Sequence, residues 1–260
     1  MNKFLRVSLF AMSTYFMSSL FTSPKVILAN SALAPSPYSM YLTIDDGPSR
    51  NTPHIIQFLK SHNIPAIFYF RGDSIAKYKV NAVQAINEGF LIGNHSYSHP
   101  YFSKISLEEC YEQILTTEKL IDECYQLAGK KRPRKVIRFP FGDRGAGPEI
   151  NKPITEEQKI KFYAIQAFIK ECGFEKITFE GVHDESIDSL WSFDTQDYKK
   201  DFIKDKAAFL VNLKINFEQL NQAKSVLLMH DFNFNFHLFI IAMDFFIEKK
   251  VAFYLPCYFD

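Results

Sequence analysis

The chain has 260 residues, 30 basic and 29 acidic side chains, and a formal charge of +1. That near balance excludes the basic excess or stripe with which nucleic-acid binders meet phosphates. A hydrophobic fraction of 47% excludes a disordered chain, and only 10 Gly exclude collagen-like structure and make repetitive β architectures a poor fit.

Residues 1–34 read as a secretory signal peptide. Lys3 and Arg6 open it, Val7–Met17 is mostly apolar, and small residues continue to Ala34. Cleavage is expected after Ala29 or Ala32, because Pro35 disfavours a cut after Ala34. Ser8, Ser13, Thr14, Ser18, Ser19 and Pro24 leave the stretch too polar for a good span of about 20 residues, although a retained anchor is the competing reading. No cysteine precedes Cys110, which rules out a lipoprotein anchor. The expectation is an exported domain, residues 35–260, periplasmic or secreted and without stable membrane insertion once the leader is removed.

After Pro35 short apolar runs alternate with amphipathic stretches. Strands are predicted at Tyr38–Ile44, Ala66–Phe70, Phe90–Gly93, Lys135–Arg138, Lys176–Phe179, Leu190–Phe193, Ser225–Met229 and Val251–Leu255. Helices are predicted at Pro53–Ser61, Ile75–Glu88, Leu107–Leu127, Thr155–Glu171, Asp201–Leu220 and Phe236–Glu248. Ser106 with Glu109 forms a capping box before the third of these, and Gly173 stops the fourth. Repeated strand–helix alternation implies parallel strands with helices outside. The fold class is therefore α/β, a distorted or partly open (β/α) barrel with about seven parallel strands. Chemistry in such folds sits at the C-terminal ends of the strands. Cys110, Cys124, Cys172 and Cys257 form no Cys-x-x-Cys pair, and Cys110 and Cys124 would lie about 21 Å apart on one helix, too far to bridge. Pairing of either with Cys172 or Cys257 stays open beside the reading of buried, inert thiols.

Polar residues do follow the strands. Asp45-Asp46-Gly47-Pro48 ends the first, and two adjacent carboxylates repel unless a cation or proton intervenes; a plain turn is the competing reading. His95 and His99 follow the third strand at metal-ligand spacing, without the Glu that a zinc-protease helix requires. With Asp46 they make a two-imidazole, one-carboxylate set that leaves open positions on a zinc-like ion. Arg138 ends a strand where its planar fork could anchor a carboxylate. Asp194 and Asp197 end another, and His230 ends the seventh, where a group titrating near neutrality suits proton transfer. Each has a bland reading as a surface or core residue. Phe232, Phe234 and Phe236 follow His230 at alternate positions and suit either sugar stacking or core filling.

In order, Thr43-Ile44-Asp45-Asp46-Gly47, His95-x-x-x-His99, Arg138-x-Pro140-Phe141-Gly142, Asp194-x-x-Asp197-Tyr198 and Leu228-x-His230 resemble the five motifs of the polysaccharide deacetylases, carbohydrate esterase family four. The resemblance runs from Tyr38 to Tyr254. It implies a metal-dependent hydrolase that removes N-acetyl groups from N-acetylglucosamine-containing glycans: peptidoglycan, poly-N-acetylglucosamine or chitin oligomers. It implies Asp46, His95 and His99 as metal ligands, Asp45 as general base oriented by Arg138, and His230 as general acid oriented by Asp197. It also implies the backbone N–H of Phe141 as an oxyanion donor, with Tyr198 and Leu228 lining the acetyl pocket. Tyr198 stands where the family commonly has Trp, which adds a hydroxyl that needs a partner. Zinc suits the ligand set first, and cobalt, nickel or iron could bind it too. Three other readings remain open: a purely structural periplasmic protein that needs no metal, a hydrolase of the same fold acting on a non-sugar amide or an O-acetyl ester, and a glycan-binding protein without catalysis. The last would be expected to lack one of Asp45, His95, His99 or His230.

Overall fold

The computed structural model describes residues 38–148, 154–179, 187–220 and 224–256. The expected signal peptide and Cys257 lie outside the described residues. Strands β1 (Ser39–Asp45), β2 (Ala66–Phe70), β3 (Leu91–Asn94), β4 (Phe193–Asp194), β5 (Lys224–His230) and β6 (Ala252–Phe253) form one parallel sheet. The order is β3-β2-β1-β5-β4, and β6 pairs with the N-terminal end of β1. Helices α1 (Thr52–Ser61), α2 (Gly72–Asn87), α3 (Leu107–Leu127), α4 (Glu156–Glu171), α5 (Lys200–Lys204), α6 (Lys206–Glu218) and α7 (Phe236–Glu248) connect or flank the strands.

The period-two alternation of a strand sorts the sheet into two faces. Met40, Leu42 and Ile44 of β1 join Phe68, Phe70, Leu227 and Met229 in the large core shared with helical residues such as Ile55, Leu59, Leu213 and Phe246. Tyr41, Ile67, Tyr69, Leu91 and Val226 point the other way, into a smaller core with Val136, Ile177 and Phe179. That second face is the barrel interior. Its β1 column runs Tyr41, Thr43, Asp45, so the alternation itself carries Asp45 to the inner mouth of the barrel. Parallel register sets Asp45 beside His230 on β5 and beside Tyr69 on β2.

Several sequence expectations differ from the structure, and of the strand expected over Leu190–Phe193 only Phe193 lies in β4. Lys135–Arg138 and Lys176–Phe179 do not form strands: Ile137 makes a single parallel bridge to Asn94, and residues 176–179 are irregular. Between β3 and β4 the chain is held by isolated backbone bonds, the Ser189 N–H donating to the carbonyl of Ile137 and the Ser192 N–H to that of Val226. Among the described residues the barrel is therefore six-stranded and partly open, not seven-stranded. The helix expected over Asp201–Leu220 breaks at Asp205, whose carboxylate accepts from the Ala208 N–H and so caps α6. The remaining helices match within a few residues, and both the Ser106–Glu109 capping box and one at Thr155–Gln158 are formed. Cys110, Cys124 and Cys172 are free thiols, with Cys110 and Cys124 buried on α3.

Candidate metal centre and proton-transfer groups

The mouth of the barrel gathers the site from four loops. Asp46 follows β1 with φ of 71° and turns its carboxylate across the strand end. His95 follows β3, and its Nδ1 lies 2.7 Å from the carbonyl of Arg138. A carbonyl only accepts, so Nδ1 carries the proton and Nε2 keeps its lone pair for the site. His99 enters from the same loop, 3.1 Å from Oδ1 of Asp46 through Nε2. His95 Nε2 lies 3.8 Å from the same oxygen. One ligand atom from each of Asp46, His95 and His99 falls within 4.8 Å of the others.

Electrostatics agrees with a cation between them. Asp46 Oδ1 is buried and no hydrogen bond reaches it, a costly state for a carboxylate oxygen. Burial pushes the Asp46 carboxyl up to about 6. Burial also drives His95 down to about 3 and His99 to about 2, with the Coulombic effects of Arg71 adding to both and that of His95 adding to His99. Neutral imidazoles beside an orphaned carboxylate oxygen are the donor set a divalent ion takes.

Asp45 sits beside this cluster. Its Oδ1 accepts from Arg138 Nη1 at 3.0 Å, and its Oδ2 lies 3.7 Å from His95 Nε2. Burial raises the Asp45 pKa, opposed by the Arg138 charge and hydrogen bond. Arg138 is itself fully buried and held on every side. Nη1 also donates to Thr43 Oγ1 at 2.7 Å, Nε to the carbonyl of Ser189 at 3.1 Å and Nη2 to that of Leu190 at 3.1 Å. Its guanidinium carbon lies 4.6 Å from the centre of the Tyr69 ring. Gly93 leaves room for that ring: a Cβ there would stand 2.6 Å from Tyr69 Cδ1.

His230 faces the cluster from β5. Asp197 grips it twice, Oδ1 at 2.7 Å from Nδ1 and Oδ2 accepting from the His230 backbone N–H at 3.0 Å. Burial alone would lower the imidazole pKa, but Asp197, then Asp46 and Asp45, outweigh it and raise it to about 9. Tyr198 packs edge-on to His230, centroids 5.0 Å apart, and its hydroxyl finds a partner in Asp194 Oδ2 at 3.4 Å. Leu228 lies on the same face of β5, two residues before His230 and paired with Thr43. Phe141 has φ of 59°, stacks on Tyr101 at 4.0 Å and meets the His99 ring at 4.5 Å. The N–H groups of Gly142 and Asp143 close that turn onto the carbonyls of Phe139 and Pro140.

The structure thus gathers at the barrel mouth the ten residues to which the resemblance assigns roles, with Asp194 against Tyr198, and it adds others. Asn235 is fully buried and donates to Asp197 Oδ2 and to the His230 carbonyl, each at 2.9 Å. Asn94 accepts from the Ser96 N–H and donates to Glu118 and to the carbonyl of Ile114, pinning the histidine loop to α3. Asp143 accepts from Ser103, Gly145 and Gly147, fixing the Phe141 turn. Asp231 accepts from the Ser49 hydroxyl at 2.6 Å and the Thr52 hydroxyl at 2.5 Å, tying the loop after Asp46 to the end of β5. Asn94 and Asp231 had a signal in their places directly before His95 and directly after His230; Asn235 and Asp143 had none. Five of the seven non-glycine residues with left-handed backbone among those described, Asp46, Ser96, His99, Phe141 and Gln196, lie in these site loops. Each costs on the order of 1–3 kcal/mol, which the surrounding hydrogen bonds must offset.

A family model described as polysaccharide deacetylase matches residues 33–159. The peptidoglycan-N-acetylglucosamine deacetylase of Bacillus cereus is 41% identical over 148 residues, 56% of this chain and 48% of that protein. The corresponding enzyme PgdA of Listeria monocytogenes is 36% identical over 118 residues, 45% of this chain and 23% of its own length. The chain thus spans about half or less of these curated relatives. The crystal structure of the Bc1960 peptidoglycan N-acetylglucosamine deacetylase superposes with a TM-score of 0.58 at 26% identity, covering 85% of this chain and 87% of that one. These matches support the polysaccharide deacetylase superfamily, carbohydrate esterase family four, with the family model lying on residues 33–159.

Proposed function

We propose that this protein hydrolyses the N-acetyl amide of N-acetylglucosamine units in a cell-envelope glycan, with peptidoglycan the first candidate. The observation that carries the reading is the unpartnered Asp46 Oδ1 facing His95 and His99, set between the Asp45–Arg138 and Asp197–His230 pairs. The names of the Bacillus cereus and Listeria monocytogenes relatives support the substrate class.

Asp46, His95 and His99 would hold the divalent ion, with zinc favoured by two imidazoles and one carboxylate. When bound, such an ion supplies Lewis acidity, making water more acidic and the amide carbonyl more electrophilic. Asp45 takes the proton of the attacking water. Burial makes it a better proton acceptor than an exposed Asp, while Arg138 keeps it ionised and fixed in direction. The Phe141 backbone N–H receives the negative charge that develops on the carbonyl oxygen. His230, charged because Asp197 holds Nδ1–H, gives a proton to the sugar nitrogen as the C–N bond breaks. Acetate and a free sugar amine leave. Tyr198 and Leu228 wall the space for the acetyl methyl.

Residues 1–34 serve in this reading as an export leader, placing the enzyme outside the cytoplasm with its glycan. No helix among the described residues is long and apolar enough to cross a membrane. Acetate release from N-acetylglucosamine oligomers and from purified peptidoglycan tests the proposal. Release that stops on chelation and returns with added zinc is expected. No release from any N-acetylated glycan, with hydrolysis of a non-sugar amide or O-acetyl ester instead, would overturn it.

A further inference from the structure

The end of the barrel opposite the metal site carries a cationic surface that the reaction does not use. The parallel strands begin there and the helices that precede them end there, so residues 130–135 after α3 and residues 249–250 after α7 share that face. Acids neutralise part of the first run. Arg132 meets Glu118 at 2.6 Å and Asp122 at 3.2 Å, Lys135 reaches Glu118 at 3.6 Å, and Arg134 pairs with Glu175. Four lysines are left over. Lys130 Nζ donates to the carbonyls of Ile86 and Asn87 at the end of α2, at 3.1 and 2.8 Å. Lys131, Lys249 and Lys250 are exposed, and no acid among the described residues pairs with them. Beside this run opens a cavity of about 280 Å³, walled by Phe90, Tyr125, Pro133 and Leu255 and rimmed by Lys130, Lys131 and Arg134. Leu255 is 41% exposed, and Leu127 at the end of α3 is 66% exposed. The chain also enters the barrel here. The Tyr38 carbonyl, just before β1, accepts from the Ala252 N–H at 3.1 Å, and the 37 preceding residues, with the apolar stretch Val7–Met17, are attached at this face. Uncompensated ammonium groups around an apolar hollow match a surface that is anionic outside and apolar beneath. A bilayer with anionic headgroups has that layering, whereas a soluble polyanion lacks the apolar part.

We propose that this basal face docks on the anionic headgroups of a membrane, with Lys130, Lys131, Lys249 and Lys250 meeting lipid phosphates and Leu127 and Leu255 reaching the apolar boundary. The barrel then stands with its metal site turned away from the lipid. A leader held in a bilayer brings this face nearest to it, because the leader is attached there. The inference does not depend on the deacetylase reading, since none of these residues belongs to the metal centre or to the proton-transfer groups.

The test is co-sedimentation of the full chain with phosphatidylcholine vesicles, with and without 30% phosphatidylglycerol, in about 0.1 M salt. Wild type is expected to partition onto the anionic vesicles far more than onto the neutral ones, which report any binding by the leader alone. Each lysine near an anionic bilayer is worth about fivefold, so Lys131→Gln with Lys250→Gln is expected to weaken anionic partitioning roughly 25-fold. Lys77→Gln with Lys159→Gln removes the same charge from the first turns of α2 and α4, at the metal-site end, and is expected to change it by less than about threefold. Equal losses in the two pairs overturn the proposal, because net charge and not this face would then be read. Equal partitioning of wild type onto both vesicles overturns it too, as does wild type that ignores vesicles but is retained by soluble polyphosphate. Acetate release from a soluble N-acetylglucosamine oligomer is expected to be the same in wild type and in the Lys131–Lys250 pair. A wild type that binds anionic vesicles but releases no acetate overturns the reaction and leaves the docking face standing.

Discussion

Asp45→Asn is expected to lower acetate release by roughly 10²–10⁴-fold while a divalent ion still binds. The two carboxylates differ by one position and by everything around them. Asp45 points down the barrel axis with Thr43, onto the Arg138 guanidinium, whereas Asp46 leaves its Oδ1 without a hydrogen bond beside two imidazole nitrogens. Asn keeps the shape of Asp45 and can still accept from Arg138, but it cannot take a proton. The metal ligands are untouched. Thermal melting separates the chemical effect from a folding one, because the change also leaves Arg138 buried without its counter-charge, a loss that can reach about 3–5 kcal/mol when a buried pair is broken. A folded, metal-loaded Asp45→Asn protein with wild-type turnover would mean that another group takes the proton.

His230→Gln is expected to cost a similar factor, about 10²–10⁴, because amide nitrogen is a poor leaving group unless protonated. The acid must carry its proton, so activity is expected to fall as pH rises through the pKa of His230, raised to about 9 by Asp197 and the site carboxylates against the effect of burial. Asp197→Asn removes the chief raising influence. The alkaline limb of the kcat/KM profile is then expected to move to lower pH, with the metal content unchanged. A limb that stays in place would show that His230 is not the group reported by it. Asn235 bears on the same limb less strongly, since it holds Asp197 Oδ2 and not the imidazole.

Much of this site was legible because strand geometry writes it into alternation. Once Tyr41–Asp45 is taken as a strand with Met40, Leu42 and Ile44 facing one way, Asp45 must face the other, and the parallel partner strand ends on His230. The same rule places His95 after β3. What was not legible depends on contacts distant in sequence. Whether Lys135–Arg138 becomes a strand depends on its neighbours, and only Ile137 meets Asn94 in register. Asp205 reads as one polar position in a long helical pattern, and only its hydrogen bond to Ala208 shows that it starts a new helix. The left-handed backbone of Phe141 has no sequence signal, because a bulky residue there is sterically disfavoured and is held by the Asp143 clamp and the Tyr101 stack. Asn235 sits among three phenylalanines, and nothing about that neighbourhood marks it as the residue that steadies Asp197.

The central claim is that Asp46, His95 and His99 hold one divalent ion. Calorimetric titration of zinc into metal-stripped protein tests it most directly, run on the wild-type chain and on His95→Ala and His99→Ala. One ion per chain is predicted for wild type, with affinity lower by at least about 100-fold in each variant, since losing a ligand should exceed the 10–100-fold that follows loss of a supporting group. Equal zinc affinity in all three proteins would contradict the account, because the ion would then be bound somewhere other than at the mouth of the barrel.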